Sequence, residues 1–574
     1  MSRPESKRGG GRLRVHFGLL WAGMFVLGGL AWAASWEPAH DEGVTWTQVF
    51  GAPEVSDCAV GATPIGALVE GLEGGGYGLS DLGDALRRDG MHPPLYYALL
   101  QASSRWLGTE RPGLVLFGLA LGLLGLFAMG RVSRELAPGP SSAGLGMALL
   151  ALSPWFLGYS VFLRPYALAV VVSLFSTWAV LEAGGAVHAR RRIGATLAFV
   201  LASILGLYTV YHYAFVVAWH VLALAGLAAA DRGQGWRRAR ELGVAVSAIA
   251  VAFLPWLSVA LEHLALTSDS NFYFAGLPPV AEWPTDTGHL LLVFLLGEGM
   301  WSAWGDALIL AAALAGAVTL PLIVASFVSG SRWAGLRPPA RWLWYASPIV
   351  PVLLVATDIF RDTRTAWISK SGFALFPLLL LLLARAAQGV RGRFPRAGVV
   401  AVWPVLFALA SGAAIWSSVK THTGHEVLVR AIALEDRSSH QVVVSSTARG
   451  YLLPFLLDAR KAGLRNVEVS RASPEAFAGC IDDLMANDSV SRVTLVDFGV
   501  VYRPEESWGA LPVEAFQRQP DRAGWDFRIL QPGDPRLATA TQLERRLENF
   551  QSSVDSGRRL LLLSTPSKVK YFSE

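Results

Sequence analysis

The sequence contains few charged residues and almost no cysteine. Only 16% of its 574 residues are charged and 53% are hydrophobic, whereas an average soluble domain has about 25% charged residues. This composition excludes an ordinary soluble globular protein. The two cysteines, Cys58 and Cys480, exclude a disulfide-rich scaffold and a cysteine-based metal cluster, and they leave one cross-link as an open possibility.

The charged residues are unevenly distributed along the chain. Residues 417–574 contain 20 basic and 20 acidic residues, which is close to the ~25% of a soluble domain. Residues 1–416 contain only 29 basic and 24 acidic residues. We therefore predict a transmembrane domain at 1–416 and a soluble domain at 417–574. The net charge of +5 lies entirely in the first part. There, basic residues set the orientation of the helices in the membrane, so the charge does not indicate a nucleic-acid partner, and none is expected.

Apolar runs of about 20 residues predict transmembrane helices, and loops rich in Lys and Arg remain cytoplasmic. Six basic clusters hold 21 of the 29 basic residues of this part, at residues 3–14, 131–134, 190–192, 232–240, 332–341 and 385–396. Crossing the membrane twice between successive clusters gives ten helices, and the final apolar run Val399 to Trp416, which no basic cluster follows, brings the total to about eleven. The first of them, Phe17 to Ala34, could instead be a cleaved signal peptide. We expect a multi-pass protein of the plasma (inner) membrane, with residues 417–574 on the outer, periplasmic side.

The first outer loop, residues 35–112, is long. It contains ten acidic residues between Glu37 and Asp89 but only Arg87 and Arg88 as basic residues over that stretch. Within it, Pro93 to Leu107 is apolar. If this stretch were a span, Arg131 and Arg134 and every later loop would lie on the side of the membrane opposite to the one that their charges predict. It is therefore predicted to be a helix at the outer interface. Loops of this length between spans are often functional.

The last part of the chain alternates β-rich runs with helical stretches. The β-rich runs are QVVVSS, NVEVS, RVTLVDFG, DFRIL and RLLLLST. This alternation is typical of an α/β domain with a largely parallel sheet. No glycine-rich phosphate-binding motif follows any of these runs, so the sequence does not support a nucleotide site there.

A few ionisable residues at predicted outer helix ends could carry chemistry. Asp41 and Glu42 follow the first span. A carboxylate close to the hydrocarbon region of the membrane has a raised pKa and can act as a general base. A solvated acid pair is the simpler interpretation. Arg164 lies where two spans meet and could extend to the interface, pair with these acids or hold a phosphate. Other candidates are a basic group in one outer turn and a histidine among tyrosines: Arg361, Arg364, Lys370 and His212.

In this order the residues resemble the GT-C integral-membrane glycosyltransferases, in particular the glycosyltransferase family 39 type, which includes protein O-mannosyltransferases and aminoarabinose transferases. The resemblance covers about residues 15–390. It is carried by Asp41-Glu42, by His92-Pro93-Pro94-Leu95-Tyr96-Tyr97, by the series from Ser153-Pro154 to Arg164 and Tyr166, and by Tyr208-Thr209 to His212-Tyr213.

The resemblance implies a GT-C-like fold and an inverting transfer of a sugar from a polyprenyl-phosphate donor to a lipid, glycan or protein acceptor on the outer face. Asp41 would be the general base and Glu42 its partner. Donor and phosphate contacts would come from His92, Arg164, Tyr166, His212, Arg364 and Lys370. This scheme requires no metal ion or other cofactor, and the chain has no obvious His/Asp metal pattern, although the Asp-Glu pair could hold an ion.

The alternative is a transporter or lipid flippase. Transporters commonly have ionisable residues near the middle of their spans and paired structural repeats. In this sequence the charges are concentrated at the outer ends, and no internal repeat is found. These features favour the glycosyltransferase.

The predicted topology can be tested with single cysteines and a membrane-impermeant thiol reagent. Asp84→Cys and Pro520→Cys should both react in intact cells because positions 84 and 520 are predicted to lie outside. Gly235→Cys should react only after permeabilisation, since it lies beside a basic cluster. The unsubstituted protein supplies the background, and labelling of position 235 in intact cells would invert the whole orientation.

Overall fold

A computed structural model describes most of the hydrophobic part and the strands of the remainder. The described residues are 9–35, 40–51, 63–73, 77–89, 92–139, 141–186, 188–270, 276–297, 310, 336–368, 370–389, 396–420, 440–445, 455–456, 459–460, 462–464, 467–472, 480, 483–484, 486, 492–497, 525–530 and 558–564. The chain divides into two compact units. The first comprises residues 1–35 and 83–417, and the second comprises residues 36–82 and 418–574.

The first unit is built from helices. They are α1 (Gly9–Ser35), α4 (Leu79–Asp89), which begins in the second unit, α5 (Leu95–Leu107), α6 (Arg111–Leu136), α7 (Ser142–Leu152), α8 (Pro154–Val161), α9 (Tyr166–Gly185), α10 (Ala189–Leu207), α11 (Tyr213–Ala230), α12 (Gly235–Ser270), α13 (Trp283–Leu296), α14 (Pro338–Ala346), α15 (Ile349–Arg361), α16 (Leu375–Gly389) and α17 (Arg396–Lys420). Two short 3₁₀ turns, Thr365–Trp367 and Ser371–Ala374, lie between α15 and α16.

Six helical stretches among the described residues are long and apolar enough to cross a membrane, which makes this a membrane-embedded protein. The pair α7 and α8 forms a seventh candidate, bent by 58°. The bend lies at Ser153-Pro154, where the Ser153 hydroxyl caps α8 by accepting a bond from the Phe156 amide. The predicted count of about eleven spans depends partly on residues 298–309 and 311–335, which lie outside the described residues.

Helix α6 packs closely against α1 and α8 because glycines face them. A Cβ atom at Gly122 would lie 2.2 Å from the Phe25 ring of α1, and one at Gly118 would lie 2.0 Å from the Ser160 carbonyl oxygen of α8. Small residues allow helices to approach closely in a membrane. Arg111, at the start of α6, donates a 2.9 Å hydrogen bond to the carbonyl of Ala33 near the end of α1. The two helices are therefore antiparallel neighbours with aligned ends.

Helix α5 corresponds to the apolar stretch predicted to lie at the outer interface. Its 13 residues span about 20 Å at 1.5 Å per residue, which is too short to cross the ~30 Å hydrocarbon core. The Leu95 amide at its start donates a 2.9 Å bond to the carbonyl of Tyr208. This bond joins α5 to the turn between α10 and α11.

The second unit contains a six-stranded sheet in the order β1-β3-β2-β4-β6-β5. The strands are β1 (Thr63–Pro64), β2 (His440–Ser445), β3 (Glu468–Ala472), β4 (Arg492–Asp497), β5 (Trp525–Leu530) and β6 (Arg558–Ser564). Strands β2 to β6 pair in parallel, and β1 pairs antiparallel with β3. The unit also contains α2 (His40–Phe50) and α3 (Ile65–Glu73).

The predicted domain boundary differs from this division in one respect. The sequence assigns the whole loop 35–112 to the membrane domain, but residues 36–82 belong to the second unit. The physical reason is backbone pairing, since Thr63 lies opposite Val469 in the sheet, and the Ile65 amide donates a 3.0 Å bond to the carbonyl of Val467. Cys480 is disulfide-bonded, and the other cysteine of the chain, Cys58, lies outside the described residues.

Candidate functional site

The acid pair lies in the first turn of α2 in the second unit. Acidic side chains are favourable there because the N-terminal end of a helix carries partial positive charge. Glu42 is completely buried and Asp41 is half-buried, as expected for neighbours that point in different directions. The simple interpretation of a solvated acid pair therefore does not hold for Glu42. Among the described residues, no group of three or more His, Cys, Asp or Glu side chains could hold a metal ion.

Arg164 lies in the first unit, between the end of α8 and the start of α9. It is only 7% exposed, so the guanidinium does not reach solvent in the manner of an interfacial arginine that extends to the headgroups. One terminal nitrogen donates to the Tyr97 hydroxyl over 3.3 Å. Tyr97 is itself fully buried on α5. Arg164 is thus a buried cation at a junction of three helices.

The tyrosine that binds this cation belongs to a cluster of aromatic rings. The His92 ring stacks on Tyr97 with centroids 6.1 Å apart and meets the edge of Tyr166 at 6.0 Å. Tyr166 in turn contacts Tyr159 at 5.1 Å. The structure therefore brings together three of the predicted residues, His92, Arg164 and Tyr166. Tyr97 and Tyr159 were not predicted as site residues, although both lie in the motifs that carry the family resemblance.

The predicted residue His212 lies directly before α11, with its ring 5.8 Å from that of Phe215. The turn that contains it is fixed by Tyr208, whose carbonyl accepts the Leu95 amide of α5. The Tyr208 hydroxyl donates to the Ala252 carbonyl at 2.9 Å. Burial raises the pKa of this hydroxyl.

The turn after α15, which carries Arg364, is held by one buried carboxylate. Asp358 is completely buried. Its oxygens accept bonds from the Thr363 hydroxyl at 2.5 Å and from the backbone amides of Thr365 at 2.9 Å and Ala366 at 2.5 Å, and the Thr365 hydroxyl also donates to it. Four donors on one carboxylate fix the path of the chain after the helix.

The same turn is attached to the segment around α13. Asp362, in the left-handed conformation with φ 51°, accepts bonds from the amides of Gly276 and Leu277, both at 2.9 Å. Arg364 lies 3.7 Å from Asp286, and the Trp367 indole donates to the Thr287 hydroxyl at 3.2 Å. The pairing of Arg364 with Asp286 was not predicted from the sequence.

Asp358 was also missed as a site-forming residue. The signal that could have revealed it is an acid near the end of an apolar run, followed by threonines five and seven positions later in DIFRDTRT. Threonine hydroxyls and backbone amides are natural donors to such a carboxylate.

The whole chain was compared with known proteins. No family model matches it, and no curated protein matches it. Among solved structures it is similar to ArnT from Cupriavidus metallidurans bound to undecaprenyl phosphate, with 14% identity, a TM-score of 0.46 and coverage of 80% of this chain and 94% of that one. It is also similar to the oligosaccharyltransferase AglB from Archaeoglobus fulgidus in complex with an inhibitory peptide and a dolichol-phosphate, with 13% identity, a TM-score of 0.37 and coverage of 66% and 56%. Both are GT-C glycosyltransferases, the class that the sequence resembles.

The role of Asp358 can be tested by thermal unfolding of the purified protein. Asp358→Asn replaces a carboxylate oxygen with an amide NH₂ among donors, so at least one buried donor loses its acceptor. This should cost about 1–3 kcal/mol and lower the unfolding midpoint. The control is Asp362→Asn, because asparagine tolerates the left-handed conformation and keeps an oxygen for the Leu277 amide. Equal loss in both variants would contradict a special role of Asp358.

Proposed function

We propose that this protein is an inverting membrane glycosyltransferase. It transfers a sugar from a polyprenyl-phosphate donor to a lipid, glycan or protein acceptor on the outer face of the membrane. The observation that carries the proposal is Arg164, a buried cation bound by Tyr97, whose ring belongs to an aromatic cluster with His92, Tyr166 and Tyr159 at the ends of apolar helices.

A donor of this kind has two parts with different requirements. The polyprenyl chain remains in the bilayer, and the phosphosugar lies at the interface. A cation at the end of membrane-embedded helices can therefore meet the phosphate while the chain stays in lipid. Arginine suits phosphate because its planar guanidinium can donate two parallel hydrogen bonds. The apolar faces of the tyrosine rings supply packing surface beside it.

The transfer is a single displacement at the anomeric carbon. The acceptor hydroxyl oxygen forms the new bond to this carbon as the bond to the phosphate oxygen breaks, and the leaving phosphate keeps the electron pair. Asp41 takes the hydroxyl proton as general base. Arg164 stabilises the negative charge on the phosphate, an interaction that is stronger in surroundings from which water is excluded. Attack from the side opposite the phosphate inverts the configuration.

The remaining predicted residues have supporting roles in this proposal. Glu42 follows Asp41 in the sequence and is buried, and in this proposal it positions the base. His92 and Tyr166 pack together, and His92 also stacks on Tyr97, the partner of Arg164. His212, Arg364 and Lys370 belong to outer turns and contribute to donor binding, with Arg364 held in place by Asp286. The proposed protein has about eleven spans, and its soluble α/β domain, which includes residues 36–82 as well as the C-terminal part, lies on the periplasmic side.

The reaction itself can be tested with the purified full chain in lipid nanodiscs. The protein is incubated with a panel of polyprenyl-phosphate sugars, and release of the carrier phosphate is followed by mass spectrometry. Release from at least one donor is the expected result. Release from none, in conditions where a related enzyme works, would favour the transporter or flippase.

The catalytic roles can be separated with conservative variants. Asp41→Asn keeps the size of the side chain but cannot accept a proton at neutral pH, so turnover should fall by on the order of 10² to 10⁴ with little change in donor binding. Glu42→Gln should have a smaller effect. Glu70→Gln, on the exposed face of α3, is the matched control and should behave as the unsubstituted protein.

The opposite pattern would change the assignment. If Asp41→Asn kept its turnover and Glu42→Gln lost it, the two acids would exchange roles. If both variants remained active, the proposed base would be wrong.

The cation should show a different kinetic signature. Arg164→Ala removes a contact to the phosphate that exists in both ground and transition states, so donor binding and turnover should weaken together. Lys370→Ala should have the same signature to a lesser degree. Tyr97→Phe removes only the hydroxyl and should produce a milder form of the Arg164 defect. Arg105→Ala, on the exposed end of α5, is the control, and a defect there equal to that of Arg164→Ala would contradict the assignment.

A further inference from the structure

A groove lies between α1, α6 and α7, away from the Arg164 cluster. Its cavity volume is about 330 Å³, which falls at the lower end of the ~300–1,000 Å³ range of small-molecule sites. Most of the lining is apolar and comes from Ala22, Leu123, Leu126, Phe127, Gly130 and Met147. The remaining lining residues are two arginines of α6, Arg131 and Arg134.

The groove extends along one half of α6. This helix begins at Arg111, which is bound to the end of α1, and the charge distribution predicts that this end faces outward. The lining residues start at Leu123 and reach Arg134, a length of about 16 Å at 1.5 Å per residue. Half of a ~30 Å hydrocarbon core is about 15 Å. The groove thus has the length of one leaflet, and its two arginines lie at the end predicted to be cytoplasmic.

The two arginines are not neutralised by neighbouring acids. The Arg131 guanidinium lies over the rings of Phe127 at 5.3 Å and Trp178 at 5.5 Å, and these contacts leave its charge in place. In the part of the chain that the structure describes, neither Arg131 nor Arg134 forms an ion pair within 4 Å. The nearby acid Glu135 pairs instead with Arg337 at 3.6 Å.

An apolar groove that opens toward a bilayer must be filled, because empty space deprives its lining of dispersion contacts. We infer that this groove binds one phospholipid with an anionic headgroup. An acyl chain lies against Leu123, Leu126 and Phe127, and the phosphate end lies beside Arg131 and Arg134. Basic side chains at helix ends attract anionic lipid headgroups, each contributing severalfold in affinity. The site does not depend on the proposed glycosyltransferase activity.

Glycine at position 130 keeps the groove open. A Cβ atom there would lie 3.0 Å from the sulfur and 3.1 Å from Cγ of Met147. Met147 is a flexible side chain that can shift, so a larger residue at position 130 should fit into the fold while occupying the groove. This offers a second route to block the site without changing its charge.

The test uses the full chain in nanodiscs that contain equal amounts of phosphatidylglycerol and phosphatidylcholine. The protein is then released into detergent, and retained lipid is measured by native mass spectrometry. The unsubstituted protein should retain one phosphatidylglycerol in preference to phosphatidylcholine. The double variant Arg131→Gln/Arg134→Gln should lose this preference by roughly tenfold to thirtyfold, whereas Gly130→Leu should reduce retention of both lipids.

The matched control removes two exposed arginines from other basic clusters on the same predicted side, Arg190→Gln/Arg232→Gln. It should retain phosphatidylglycerol as the unsubstituted protein does. Loss of preference in this control equal to that of the double variant would show general surface attraction and overturn the site. Unchanged lipid retention in both the double variant and Gly130→Leu would also overturn it.

Discussion

A charged group that is removed from water must find hydrogen-bond partners or counter-charges inside the protein, and the functional regions of this chain are organised around that requirement. Transfer of an isolated charge into apolar surroundings is very costly. Arg164 and Asp358 are both buried among apolar helices. One is held by a tyrosine hydroxyl, and the other by two threonine hydroxyls and two backbone amides. Each of these groups consequently fixes the geometry of the segment around it.

This requirement also explains why the candidate site lies at helix ends. In the middle of a span, backbone amides and carbonyls are already bonded to one another. At the N-terminal end of a helical segment, the first amides are unpaired and can bond to a carboxylate, as the amides of Thr365 and Ala366 at the start of a 3₁₀ turn do with Asp358. The turn after α15 therefore combines basic residues with a backbone that hydrogen bonds hold in place. Phosphate recognition benefits from both.

Local patterns predicted much of the fold. Each of the five β-rich runs overlaps a strand, from QVVVSS at β2 to RLLLLST at β6, because short, mostly apolar runs bounded by polar residues are typical of strands in a parallel sheet. The short helix α5 was likewise predicted, from the apolar stretch Pro93 to Leu107. Burial of Glu42 and the tyrosine partner of Arg164 were not, because the Arg164–Tyr97 contact joins segments 67 residues apart and no local pattern encodes such a contact. Asp358 was also missed, although its partners Thr363, Thr365 and Ala366 lie only a few residues further along the chain.

The pairing of β1 with β3 has a consequence for the order of events during synthesis. Roughly 400 residues separate Pro64 from its partner Glu468, and all helices from α3 to α17 are made in between. The edge strand must therefore remain unpaired until β3 has been synthesised. Contacts between such distant segments are slow to form, and unpaired strand edges are prone to aggregate. A strand of only two residues, β1, offers little edge for such errors, so its shortness protects the nascent chain during that delay.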